Sequence, residues 1–150
     1  MTSNSGVRLN NTSGANPTLV LPGASLTEVA AGRLFVREQT DGKLPARTSE
    51  QMQLATSELV SNALMYGKAG PIVMTVHVSP DAAWVRIAND SPPTARLPPV
   101  SDWAISGSND RSGRGLGIVK AVSDQIQVER EGERVAVTAC FALTTNDWRS

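Results

Sequence analysis

Apolar positions along the chain alternate between two rhythms, a period of two and a period near 3.6, and the switches between them outline the elements. Residues 1–16 carry Ser, Asn, Thr and Gly with few bulky apolar side chains, too little to offset ordering entropy, and read as a flexible tail. Thr18-Leu19-Val20-Leu21-Pro22 predicts a short strand closed by Pro22-Gly23. Ser25 and Glu28 have capping-box spacing, and Leu26, Val29, Ala30 and Leu34 carry a first helix to about Thr40. Thr48 with Gln51 repeats the capping signal. It opens a longer helix from about Ser49 to Tyr66, with Met52, Ala55, Leu59 and Ala63 as its apolar stripe and Gly67 as a left-handed cap.

Two β-branched runs follow, Ile72–Val78 and Ala83–Asn89, joined by a turn at Pro80-Asp81. Alternation puts Val85, Ile87 and Asn89 on one face and Trp84, Arg86 and Ala88 on the other. From Asp90 to Ser112 the periodicity collapses among four prolines. A stretch of about twenty residues without pattern inside a domain is usually a functional lid or binding loop. A helix is then expected to begin at the glycine-rich Gly115-Leu116-Gly117 and run to Val122, and strands Gln125–Arg130 and Arg134–Leu143 finish the domain. The order predicts an α+β fold: a two-layer sandwich of a mixed, mostly antiparallel sheet covered on one face by helices. The domain is expected over residues 17–144, with 145–150 a second tail.

Composition narrows the functional classes. The 150 residues are 40% hydrophobic and 19% charged, which suits one packed domain. Fourteen basic residues balance fourteen acidic ones, so the basic excess of a nucleic-acid or anionic-membrane binder is missing. One cysteine and one histidine exclude a His/Cys metal centre. No apolar run approaches the roughly 20 residues that span a bilayer, and the start lacks a signal-peptide pattern; a cytoplasmic protein is expected.

Two constellations carry candidate chemistry. Glu58 and Asn62 lie four apart on one helix face, beside the apolar Leu59. A carboxylate and a carboxamide so placed suit a general base and a neutral oxygen ligand for Mg²⁺, or simply a solvated helix face. Gly113-Arg114-Gly115-Leu116-Gly117 would let backbone approach a ligand, with helix N-terminal amides aimed at phosphate and Arg111 and Arg114 adding charge, or it merely eases a tight turn. A dinucleotide fingerprint fails because position 118 is isoleucine and no strand precedes the glycines. A Walker loop fails because Gly42-Lys43 and Gly67-Lys68 precede Leu44 and Ala69.

In order and separation, Glu58-x-x-x-Asn62-Ala63, a strand ending in Asn89-Asp90 before a proline loop, and Gly113-x-Gly115-Leu116-Gly117-Ile118-Val119 resemble the GHKL ATPase superfamily, the Bergerat ATP-binding fold. Within it, Leu19–Gly23, Ala31–Val36 and Ser57–Ala63 look most like bacterial anti-sigma-factor serine/threonine kinases. The similarity covers roughly Leu19 to Leu143. It implies ATP and Mg²⁺ as ligands, Glu58 polarising the attacking hydroxyl or water, and Asn62 coordinating the metal. It further implies that Gly113, Arg114, Gly115, Leu116 and Gly117 bind phosphate and that Asp90–Ser112 folds over the nucleotide. Implied partners are a small antagonist protein and a sigma factor, with no direct nucleic acid or membrane contact; relatives commonly dimerise.

One position departs from the family. An Asp normally ends the second hairpin strand and accepts from the adenine amino group. Here Asn89 aligns there, unless a one-residue bulge brings in Asp90, and the glycine two positions on is Ser91. Losing charge assistance costs about 1 kcal/mol or more, so weakened binding or a non-catalytic interaction module is the competing expectation. Of the remaining residues, His77 and Cys140 read as structural, Trp103 as an anchor of the lid or a ligand contact, and Thr138 as within reach of the adenine pocket.

Overall fold

A computed structural model describes residues 8–10, 16–92, 98–103 and 111–144. Its strands are β1 (Arg8–Asn10), β2 (Thr18–Leu21), β3 (Ile72–Val78), β4 (Ala82–Asp90), β5 (Gln125–Glu131) and β6 (Arg134–Ala142), and its helices are α1 (Glu28–Thr40), α2 (Ala46–Tyr66) and α3 (Arg111–Val122). The strands form one sheet in the order β1-β2-β3-β4-β6-β5. Every pairing among the described residues is antiparallel, so the sheet is antiparallel rather than mixed. β1, inside the stretch read as a tail, adds a three-residue edge strand against β2. Residues 1–7, 11–15 and 145–150 lie outside the described residues.

Strand alternation explains why the helices cover one face. Met74 and Val76 on β3, Val85 and Ile87 on β4, and Val137, Ala139 and Phe141 on β6 are buried in one core with Met52, Ala55, Leu59 and Val60 of α2. The predicted stripe of α2 is thus the buried stripe. On α1 the buried side is instead Gly32, Phe35 and Val36, while Leu26 and Leu34 are 60% and 53% exposed. The opposite sheet face carries Thr75, Arg86, Thr138 and Gln127 in register across four strands. Trp84 stacks on His77 there at 5.4 Å between ring centroids, and His77 Nδ1 lies 2.8 Å from Asn16 Oδ1. Thr138 therefore cannot reach a pocket on the helical face, since its parity along β6 is the wrong one. Cys140 pairs with Trp84 on that same face and is half-buried, its thiol pKa pushed up by burial.

Local chemistry sets the helix starts differently from the capping signals. Glu28 opens α1, and its buried carboxylate accepts from the amides of Gly23, Ala24 and Ser25 at 2.7, 2.8 and 2.9 Å. The Glu half of the expected box is formed, whereas Ser25 Oγ accepts from Thr27 N at 3.2 Å. Helix α2 begins three residues before Ser49, at Ala46, with Pro45 as the flanking residue and no side-chain cap. A proline with φ fixed at −55° is already set for helix entry, so Thr48 is inside the first turn and caps nothing. Gly67 is extended (φ −83°) rather than left-handed.

Replacing Glu28 with Ala removes three charge-assisted hydrogen bonds from one joint, and urea unfolding is expected to show a loss of about 2–3 kcal/mol. The exposed Glu50→Ala should stay within about 0.5 kcal/mol of the parent.

Candidate active site

Three chain ends meet at one end of the molecule: the last turns of α2, the end of β4 and the first turns of α3. The junction of the first two is tight because residue 67 has no side chain. A Cβ on Gly67 would fall on the Asn89 Nδ2 and within 2.6 Å of the Ala63 carbonyl oxygen. The Lys68 amide donates to the Asp90 carbonyl at 2.9 Å, and Asn89 Nδ2 donates to the same oxygen at 3.0 Å. Lys68 Nζ reaches Glu133 Oε1 at 2.9 Å, linking the end of α2 to the β5–β6 turn. This partner raises the lysine pKa above its ordinary value.

β4 and β6 stay in continuous register through Asn89↔Val135 and Asp90↔Arg134, so no bulge rotates Asp90 inward. Asn89 is the buried residue on the core side, and Asp90 is exposed, 3.8 Å from Arg134. Because Nδ2 is committed to Asp90, the Asn89 oxygen is the atom left to accept a hydrogen bond.

Glu58 and Asn62 sit one turn apart on α2, both half-buried. Neither side chain makes a hydrogen bond or ion pair to another described residue. Glu58 faces α3: a Cβ on Gly115 would lie 2.6 Å from Glu58 Oε1, closer than real side chains approach. A side chain at 115 would thus turn the flexible end of Glu58 aside, while the Glu58 Cδ and Cβ, at 3.6 and 3.7 Å, are ordinary contacts.

The glycine run itself is not a loop. α3 starts at Arg111, four residues before the expected start, so Gly113, Arg114, Gly115, Leu116 and Gly117 all lie in its first two turns. In an α-helix the first four amides have no internal acceptor. The described ones here are those of residues 111–113, while those of Gly115 and Gly117 are committed to the helix. Leu116 is 1% exposed and its side chain belongs to the core. The arrangement therefore puts a carboxylate, a carboxamide and a set of helix N-terminal amides at one place, which suits an anion with a bound cation.

The lid is described in part, with residues 93–97 and 104–110 outside the described residues. Just past β4 it is tied to the β5–β6 turn, Ser91 N donating to the Glu133 carbonyl at 2.7 Å. Its middle is pinned by Trp103, 3% exposed in the core, whose Nε1 donates to the Pro98 carbonyl at 2.9 Å. Trp103 is an anchor. Sequence reasoning missed Gly67 as a packing residue. The signal was a glycine just beyond the helix, read as a left-handed cap.

The chain belongs to the histidine kinase-like ATPase domain family, which it matches over residues 23–141. That places it among the GHKL-type ATPases, an ATP-binding class. The histidine kinase domain of the Erythrobacter litoralis EL346 blue-light activated histidine kinase superposes with a TM-score of 0.52 at 16% identity, over 85% of this chain and 64% of that one. The Acinetobacter baumannii histidine kinase AdeS gives 0.50 at 14% identity, over 92% and 70%. The chain thus spans less than two thirds of the first of these, and both show the fold. No curated protein matches. No helix among the described residues is long and apolar enough to cross a membrane.

The Glu58–Gly115 contact is testable by its size. Gly→Ala inside a helix normally gains about 1 kcal/mol. Gly115→Ala should give less than that gain in urea unfolding, because the methyl turns the flexible end of Glu58 aside. In the Glu58→Ala background the full gain should return, a coupling readable as a double-mutant cycle.

Proposed function

We propose that the chain is a cytoplasmic, ATP-dependent protein serine/threonine kinase of anti-sigma-factor type, acting on a small antagonist protein with a sigma factor as its alternative partner. The observation carrying this reading is the Glu58 carboxylate, half-buried, without a partner among the described residues, and set against the first turns of α3. A base needs a free acceptor oxygen beside the phosphate site, and this is the arrangement it would use.

The donors fit a magnesium nucleotide. Among the described residues no group of three or more His, Cys, Asp or Glu could hold a metal on its own. A cation here would rest on the Asn62 oxygen and on oxygens of the nucleotide and water, the coordination Mg²⁺ favours. When bound, Mg²⁺ neutralises phosphate charge. The amides at the start of α3 would hold the phosphates, and the Asn89 oxygen would accept from the adenine amino group. The serine or threonine oxygen attacks the γ-phosphorus, its proton passes to Glu58, and the bond to the departing ADP oxygen breaks.

Acceptor choice follows from what is near. The structural neighbours are histidine kinases, but the one histidine of this sequence, His77, is stacked on Trp84 on the far sheet face. It cannot serve this site. The resemblance in Ser57–Ala63 and Gly113–Val119 supports a hydroxyl acceptor on another protein.

Asn89 favours a second reading, a non-catalytic interaction module with weak nucleotide binding. Phosphate transfer from γ-labelled ATP to a candidate antagonist, beside calorimetry of Mg·ATP, separates the two. The kinase reading expects transfer by the parent chain and a loss of about 100-fold or more in Glu58→Gln, with ATP affinity held. Binding without transfer by the parent, over a panel of antagonists, would leave only the module. Asn89→Ala should weaken ATP about 5–10-fold while leaving inorganic triphosphate unchanged, since only adenine recognition is removed.

A further inference from the structure

At the opposite end of α2 and α3 the structure holds a cavity of about 520 Å³, within the range of small-ligand sites. Arg47, Thr48 and Gln51 line it from the first turns of α2, Ser123 and Asp124 from the end of α3, and Phe141 from β6. Thr48 is ten residues before Glu58, about 15 Å along the helix, so this is not the nucleotide site.

The α2 side is electropositive and unsatisfied. Pro45 provides no side-chain cap, and Ser49 N is the first amide to find a helical acceptor, the Pro45 carbonyl at 3.0 Å. The amides of Ala46, Arg47 and Thr48 therefore have only the helix end in front of them. Thr48 adds an independent sign of a ligand. The residue is only 8% exposed, yet its hydroxyl makes no hydrogen bond to any described residue. No polar side-chain atom that is fully sealed lacks a partner among the described residues, so this hydroxyl opens into the cavity it lines. The Arg47 and Gln51 side chains likewise make no hydrogen bond or ion pair to described residues.

The α3 side has the opposite polarity. The helix ends at Val122, and Ser123 N and Oγ both donate to the Val119 carbonyl, at 3.1 and 2.6 Å. The carbonyls of residues 120–122 have no helical donors beyond them. Asp124 Oδ2 accepts from Ala142 N at 2.7 Å, which fixes the carboxylate and leaves its other oxygen without a described partner. A simple dianion would meet this carboxylate; a ligand with one charge of each sign would satisfy both walls.

We infer that this cavity binds a small zwitterion, a free α-amino acid in chemical class. Its carboxylate would lie on the amides of Ala46–Thr48 with the Thr48 hydroxyl, and its ammonium on Asp124 and the end of α3. The inference does not depend on kinase activity.

The test is a proton–nitrogen correlation titration of the full chain with each of the twenty free L-amino acids. For any amino acid that binds, the N-acetyl derivative, the methyl ester and inorganic phosphate follow as single-charge arms. At least one amino acid is expected to shift the amides of Arg47, Thr48 and Asp124 saturably, with both single-charge derivatives at least ten-fold weaker. Thr48→Val keeps shape and should weaken binding five-fold or more. Asp124→Asn keeps the Ala142 contact and should erase the preference for a free ammonium. If no amino acid moves these amides, the inference fails. It fails equally if phosphate or the N-acetyl form binds as well as the parent compound, which would make this an anion site only.

Discussion

Close packing around α2, at two residues without side chains, is the constraint on which the rest of the structure turns. Gly67 admits the Asn89 carboxamide against the end of α2, where a Cβ would also meet the Ala63 and Asp90 carbonyl oxygens, so the proposed adenine-side acceptor is oriented by backbone rather than by a neighbouring charge. At the other junction Gly115 sets a helix start, with its unsatisfied amides, against the Glu58 carboxylate, and a methyl group there would turn that flexible carboxylate aside. Both fits depend on α2, whose buried stripe from Met52 to Ala63 fixes its rotation on the sheet and hence the direction of Glu58 and Asn62.

The sheet has two unlike faces, and this asymmetry sorts the candidate residues. Everything that the site uses lies on the helical side or at its rim. His77, Arg86, Thr138 and Cys140 lie on the other side by strand parity alone. Among the described residues, the segment after β4 is held at Ser91 by the β5–β6 turn and at Trp103 by the core.

Much of this was legible because period and parity are local properties. The 3.6-residue stripe of α2 and the alternation that turns Asn89 inward are visible without any tertiary knowledge, and the structure keeps both. The failures have two causes. Thr48 looked like a cap, but the stiff Pro45, a neighbour in sequence, starts the helix earlier. The glycines of α3 looked like an entry to a helix, but packing on α2 outweighs their low propensity and the helix starts at Arg111. Leu26 and Leu34 looked like a core stripe, yet α1 turns Phe35 and Val36 inward. In the last two cases a long-range contact overrode a local preference, and no single-segment pattern records such contacts. Glu58, Asn62 and the 111–117 run could be named from spacing and resemblance; that Glu58 meets Gly115 could not.

The central claim is that one nucleotide–metal complex sits between Asn62, Glu58 and the first turn of α3. Paramagnetic broadening by Mn²⁺·ATP, in place of the magnesium complex, measures it directly. The account predicts loss of the Asn62 side-chain resonance first, with the amides of residues 111–115 close behind and those of Thr48 and His77 unaffected. Broadening centred elsewhere, or none at saturating nucleotide, would contradict it.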